Sequence, residues 1–350
     1  MQGDWLQQVP YQPEIEVSGY FEQYSGYGNE TLSLAKALAP MFPAAAARNV
    51  VGPLPPEVAL MFTRDVSRVK DSIILSPPFA LDTAVISSKE TRMHVISMWE
   101  TTELPEEFIN SFKHAVNIFC PCPQSVETFQ KFAPDKTVRL LTFGTESDFW
   151  GPPVPRDWGG VLQFGMVGAF SPRKYTLETI KAFRTAFGDR EDVHFELLNS
   201  DGNASFLQYM VQEDKNITFR TTLARLPNTE LRRWYQSKHV LLMPSRGEGN
   251  GRPILEMGCT GGAIVATKGM GMYWVSDAVG YPISFEWVPV KGFPWRTGEW
   301  MEPNFDELVE TLKYIDHHRG ETAERARALA AVLPNMFDWD KTATNLLNMI

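Results

Sequence analysis

VLLMPSRGEGNGRPILEMGCTGGAIVA, residues 240–266, decides how this chain folds. The apolar run Val240–Met243 is stopped by Pro244 and reads as a buried strand, as does Ala263–Ala266. Between them a glycine-rich loop leads into a helix starting near Arg252 or Pro253, where a proline lacks nothing the helix needs. Strand, loop, helix and strand make one βαβ unit. The free N–H groups of that helix aim back at the loop and suit an anion or a polyhydroxyl ligand. Two carboxylates, Glu248 and Glu256, flank the turn, with Gly249, Asn250, Gly251 and Arg252 between them. Glu256, one turn into the helix, reaches the same ligand. Two acids that merely flank a helix would leave the same letters, so the pair alone assigns no chemistry.

The alternation continues outward from this unit. Strands are expected at Val161–Val167, His194–Asn199 and Ile217–Thr221, and helices at Leu177–Phe187, Phe206–Gln212 and Asn228–Gln236. In the first half the strand candidates are Glu14–Tyr20, Asn49–Val51, Ser72–Leu75, Met93–Ser97, Asn117–Cys120 and Thr137–Leu141. Helices are expected at Thr31–Leu38 with Asn29 as cap, after Pro56, at Glu106–Ala115 and at Ser125–Phe132. Strands alternating with helices of roughly ten residues indicate parallel sheets. The stretch Phe149–Pro155 holds three prolines and a glycine and reads as a stiff linker. The fold class is therefore α/β, with two Rossmann-like doubly wound domains, 1–150 and 151 onward. Their ligand cleft lies between them at the strands' carboxyl ends.

Composition bounds the function. At 350 residues two domains are the better expectation, and 43% apolar with 21% charged residues describes a globular protein. No run of about 18 apolar residues predicts a membrane span. The segment Met1–Trp5 lacks a basic-then-apolar signal pattern. Three cysteines, Cys120, Cys122 and Cys259, suggest a reducing compartment, so a cytoplasmic setting is expected. Net charge is −9, and residues 1–150 carry most of the excess, with 18 Asp and Glu against 11 Lys and Arg. An acidic half is poorly suited to gripping a phosphate backbone.

Three further loops can carry chemistry. Gly26-Tyr27-Gly28 opens the first helix and lets backbone approach a phosphate or sugar, or is a plain tight turn. Gly168–Tyr175 follows a strand and carries Arg173 and Lys174, two cations that suit a diphosphate or else a solvated helix start. Glu100, just after Met93–Ser97, is placed to meet an acceptor hydroxyl or to cap the helix after Pro105. The six histidines make no metal spacing. Cys120-Pro121-Cys122 has no second pair and reads as buried thiols. No Asp-x-Asp clamp and no Gly-x-Ser-x-Gly elbow occurs.

Taken in order, these motifs make the chain resemble a retaining nucleotide-sugar glycosyltransferase of the GT-B fold, family 4 (group 1) type. EGNGRPILE matches that family's E-x7-E signature, and Val167 to Lys174 is similar to its phosphate loop. Ala169 stands where the family often has an arginine, and Arg173 is the candidate to replace it. Phe143–Phe149 resembles the interdomain segment. Phe337–Asp340 with the following helix resembles a C-terminal element, 336–350, that crosses back onto the first domain and bounds the second at 151–335. The resemblance implies that Glu256 holds the donor ribose, that Glu248 and the backbone of Gly249, Asn250 and Gly251 hold the donor sugar, and that Arg252 belongs to the donor-binding set. It implies Lys174 and Arg173 on the diphosphate with Gly168 and Gly26/Gly28 beside it, Leu226 near the base, and Glu100 on the acceptor side. It implies no cofactor and no metal beyond the donor substrate. The expected acceptor is a saccharide, lipid-linked saccharide or protein. The alternatives are a nucleotide-sugar-binding protein that has lost turnover, and an enzyme acting on modified DNA or a virion protein. Donor base, sugar, acceptor and oligomeric state are not written in the sequence.

Overall fold

The computed structural model describes residues 15–21, 26–41, 46–49, 54, 56–59, 69–81, 91–200, 205–222, 226–291 and 297–350. Two six-stranded sheets dominate. The first runs β2-β1-β3-β4-β5-β6, from β1 (Ile15–Gly19), β2 (Ala46–Asn49), β3 (Asp71–Leu75), β4 (Arg92–Ile96), β5 (Ala115–Cys120) and β6 (Thr137–Leu140). The second runs β12-β11-β10-β7-β8-β9. Its strands are β7 (Leu162–Gly168), β8 (Val193–Asn199), β9 (Ile217–Thr221), β10 (Val240–Met243), β11 (Ala263–Thr267) and β12 (Tyr281–Ile283). Every pairing in both is parallel. Central strands are buried along their whole length, as in β3 and β11, which is why they read as continuous apolar runs.

Strand order reverses between β1 and β3 in the first sheet and between β7 and β10 in the second. A doubly wound sheet opens a crevice at that point, because the flanking loops leave toward opposite faces. The loops that carry the chemistry, after β1, β4, β7 and β10, leave these carboxyl ends.

Several local expectations are corrected. The helix expected from Thr31 starts at Gly26, so Asn29 lies inside it and its carbonyl accepts from Ser33 Oγ at 2.8 Å instead of capping. The expected helix Glu106–Ala115 is only a turn at Glu106–Ile109 and a 3₁₀ turn at Asn110–Phe112. Ala115 already belongs to β5, where Val116, Ile118 and Phe119 favour a strand. The second strand sits at Ala46–Asn49, and Val51 lies outside the described residues, as do Met1–Glu14 and Ser25. Of the helix expected after Pro56, Pro56–Ala59 lies within the described residues and is helical.

The stretch after Trp150 is strapped to the second domain. Val154 N donates to Thr260 O at 3.1 Å, and Arg156 Nη1 donates to the same carbonyl at 2.7 Å. The last helix, Trp339–Met349, packs Trp339, Ala343 and Leu346 against Val17, Leu34, Leu38 and Phe143 in the core of the first sheet. Asp338 caps that helix, accepting from Lys341 N at 2.8 Å. A two-stranded antiparallel hairpin, β13 (Phe285–Pro289) with β14 (Glu299–Pro303), follows β12. It reaches the first domain, where Thr102 N donates to Glu299 O and Glu299 N to Thr102 Oγ1, both at 2.9 Å.

Candidate active site

The loop after β10 lies flat against the end of β4. A Cβ on Gly249 would come within 2.8 Å of Met98, and one on Gly247 would strike the Glu100 carbonyl. Glycine at both positions lets the second domain's loop touch the first domain's backbone, and Glu248 between them points inward. Gly251 then turns the chain at φ +72°, the left-handed region glycine occupies without cost, and caps the helix Arg252–Cys259. Tyr27 fastens the facing loop: its hydroxyl donates to Met98 O at 3.1 Å and accepts from Met98 N at 3.0 Å.

Between these loops is a cleft of about 470 Å³. It is lined by Gly26, Glu30, Glu100, Gly168, Arg173, Lys174, Leu226, Glu256 and the whole run Glu248–Arg252. Gly28 is off the cleft, buried in the first turn of its helix.

Two charge clusters occupy the cleft. In the first, Lys174 Nζ donates to Glu248 Oε1 at 2.6 Å and Arg173 Nη1 donates to the same oxygen at 3.1 Å. Arg173 also donates to the Gly247 carbonyl, and its Nη2 lies 4.0 Å from Glu100 Oε1 across the cleft. Burial works to raise the Glu248 carboxyl, yet the two cations outweigh it and hold it below the usual carboxylate range. Burial also lowers Lys174, with Glu248 opposing. Both cations precede a helix, Thr176–Phe187, entered through Tyr175 at φ 61°. A non-glycine residue in that region is strained, and such strain gathers where side chains must be aimed.

The second cluster surrounds Arg252. Its guanidinium donates to Glu256 Oε1 (Nε, 3.0 Å), Glu146 Oε2 (Nη2, 2.9 Å) and Glu30 Oε2 (Nη1, 3.3 Å). Asn250 Nδ2 donates to Glu30 Oε1 at 2.7 Å, and Tyr235 Oη donates to Glu256 Oε2 at 2.8 Å. Three carboxylates thus share one cation. Burial raises Glu30 to about 7 against the pull of Arg252. Burial raises Glu256 as well. Burial pushes Glu146 up too, but Arg252 and the Ser33 hydroxyl prevail and hold it at about 2.

All the sequence-derived site residues except Gly28 therefore converge on one cleft. The Asn250 side chain is engaged by Glu30, and the Arg252 side chain by Glu30, Glu146 and Glu256. Glu100 lines the cleft and leaves the helix after Pro105 without a side-chain cap. Glu30, Glu146 and Tyr235 were missed. Glu30 lies two residues past Gly28, so an acid in the helix's first turns was the available signal. The three cysteines are free and buried. Among the described residues no group of three or more His, Cys, Asp or Glu is arranged to hold a metal ion.

Residues 159–276 match the family described as glycosyl transferases group 1. No curated protein sequence matches the chain. Among solved structures, HepE of Anabaena in complex with UDP and glucose superposes with a TM-score of 0.72 at 14% identity, covering 96% of this chain and 99% of that one. Sucrose-phosphate synthase of Thermosynechococcus elongatus gives 0.69 at 13% identity, with 97% and 98% covered. A glycosyltransferase of Rickettsia africae gives 0.70 at 13% identity, with 97% and 98% covered. Residues 159–276 thus match the glycosyl transferases group 1 model, and the chain shares the two-domain Rossmann-like α/β fold of these structures.

Proposed function

We propose that this chain transfers a glycosyl group from a nucleoside-diphosphate sugar to an acceptor hydroxyl, with retention, as a family 4 enzyme. The observation that carries the reading is the meeting of Lys174, Arg173 and Glu248 at the strand-order reversal beside the helix Arg252–Cys259. That is where a doubly wound sheet receives a nucleotide. Support comes from similar structures, since HepE is described in complexes with UDP-glucose and with UDP.

In this reading Glu256 takes the ribose hydroxyls, Leu226 lies by the base, and Glu248 with the backbone of Gly249–Gly251 takes the sugar. Breaking the bond from the anomeric carbon to the diphosphate oxygen leaves negative charge on the diphosphate. Lys174 and Arg173 are preset to neutralise it, which stabilises the transition state more than the ground state. Two fixed side-chain cations do the work a divalent ion does elsewhere, so the reading is metal-independent. The acceptor oxygen bonds to the anomeric carbon on the departing face and its proton passes to the leaving phosphate oxygen. No protein nucleophile is needed. Glu100 faces this site from the first domain and is the group to orient the acceptor. The acidic first domain favours a saccharide, lipid-linked saccharide or protein acceptor over duplex DNA. Three free, buried thiols accord with a cytoplasmic setting.

The test is a panel of UDP-, GDP-, ADP- and dTDP-sugars, read by thermal shift and then by transfer, with product anomer assigned by NMR and EDTA present. One donor class should raise the melting temperature by mass action and be turned over with retention in EDTA. Inversion, or dependence on added metal, would refute those parts. Donor binding without transfer to any acceptor would favour a binding protein that has lost turnover.

A further inference from the structure

Glu30 lines the cleft from the first domain, and its side chain is 1% exposed. Its two oxygens are divided between partners on the other domain. Oε1 accepts from Asn250 Nδ2 at 2.7 Å and Oε2 from Arg252 Nη1 at 3.3 Å. The contact chain then runs through Arg252 to Glu256 and ends on Tyr235. We propose that Glu30 is a positioning residue that completes the donor site from the first domain, so that the Gly249–Gly251 loop and Glu256 reach working geometry only while the cleft is closed. The donor half of this inference rests on the function proposed above; the closure half does not.

The physics is one of buried charge. A carboxylate taken out of water is tolerated only when hydrogen-bonded or paired. Both of Glu30's described side-chain donors come from the second domain, so burying Glu30 and fixing the loop are one event. Opening returns Glu30 to water, releases the Asn250 amide between two glycines, and leaves Arg252 its own-helix partner Glu256. The groups facing Glu30 are Asn250 and Arg252 on the loop and helix, Glu146 on the interdomain segment, and Glu256 one turn along. Three acids around one guanidinium are not all readily ionised together, and burial raises Glu30 to about 7. In the open form its carboxyl returns toward 4.5. The closed form therefore holds the proton more tightly, and closure weakens as pH rises through about 7.

Small-angle X-ray scattering of wild type, Glu30→Gln and Glu30→Ala across neutrality, without ligand and with UDP or GDP, tests this. Wild type should expand as pH passes neutrality. Glu30→Gln, permanently neutral and able to pair with a turned Asn250 amide, should stay compact throughout, and Glu30→Ala should be expanded at every pH. The nucleoside diphosphate that binds should bind Glu30→Ala about tenfold more weakly, with most of the affinity restored in Glu30→Gln. General destabilisation would lower the melting temperature without moving the pH profile. Superimposable scattering for all three proteins at all pH values, or an unchanged nucleotide Kd in Glu30→Ala, would overturn the inference. If wild type binds no nucleoside diphosphate, the donor reading fails while the scattering still decides whether Glu30 closes the cleft.

Discussion

Glu248 and Glu256 are the same residue type on one loop and helix, yet their surroundings are opposite. Glu248 is one carboxylate between two cations, Lys174 and Arg173. Glu256 shares its one cation, Arg252, with two other carboxylates. Accordingly the first carboxyl lies below the usual range and the second above it. The cation-rich end has the charge to accept a diphosphate, and the acid-rich end ties the second domain's loop and helix to Glu30 of the first. Which end an acid belongs to is fixed by the neighbouring domain and loop, not by the signature that contains both.

The contrast can be broken most severely at Glu248. Replacing it with Ala leaves two buried cations without their carboxylate and removes the proposed sugar contact. Transfer should fall by about 10²–10³-fold in kcat, measured at saturating donor. Lys174→Met comes next, with a loss of roughly 10²-fold in kcat/KM because leaving-group charge goes uncompensated. At the other end, Arg252→Ala strands three acids in one buried cluster. It should cost roughly 3 kcal/mol or more of stability in urea unfolding, since breaking a buried pair leaves uncompensated charge. Tyr235→Phe removes one buried hydrogen bond to Glu256 and should cost about 1 kcal/mol. Lys131→Ala, by contrast, breaks a pair with Glu103 that is 61% and 41% exposed, and should stay within about 0.5 kcal/mol.

The cleft carboxyls also titrate in opposite senses, and the division runs inside the Arg252 cluster, between Glu146 and Glu30. Glu146 and Glu248 have lowered folded values, so their contribution is present above about 4.5 and is lost as pH falls, for Glu146 toward about 2. Glu30 is raised to about 7, so what it contributes below 4.5 is lost as pH rises through about 7. Urea midpoints should therefore climb out of acid and sag toward neutrality, and Glu30→Gln should remove the sag. A sag of equal depth in Glu30→Gln would assign it to another group.

Legibility followed the same division. Ile217–Thr221, Asn228–Gln236 and Val240–Met243 were readable to the residue, because each apolar or periodic run is bounded by turn residues. Lys174 and Glu248 could be placed at the cleft because they lie on turns at the carboxyl ends of parallel strands, and Glu256 because it sits one turn into the helix such a loop opens. The hairpin β13–β14 was not, since its short edge strands end in prolines and follow the last βα repeat. Nor was the Arg252 cluster. Its partners Glu30 and Glu146 stand 222 and 106 residues away and meet it only when the two domains face each other.

The central claim is that the cation-rich end of the cleft receives a nucleoside diphosphate. Titration calorimetry of UDP and GDP into wild type and Lys174→Met tests it directly. One of them should bind wild type at a single site and bind the variant at least about tenfold more weakly. Equal affinity for both proteins, or no binding of either nucleotide by wild type, would contradict it.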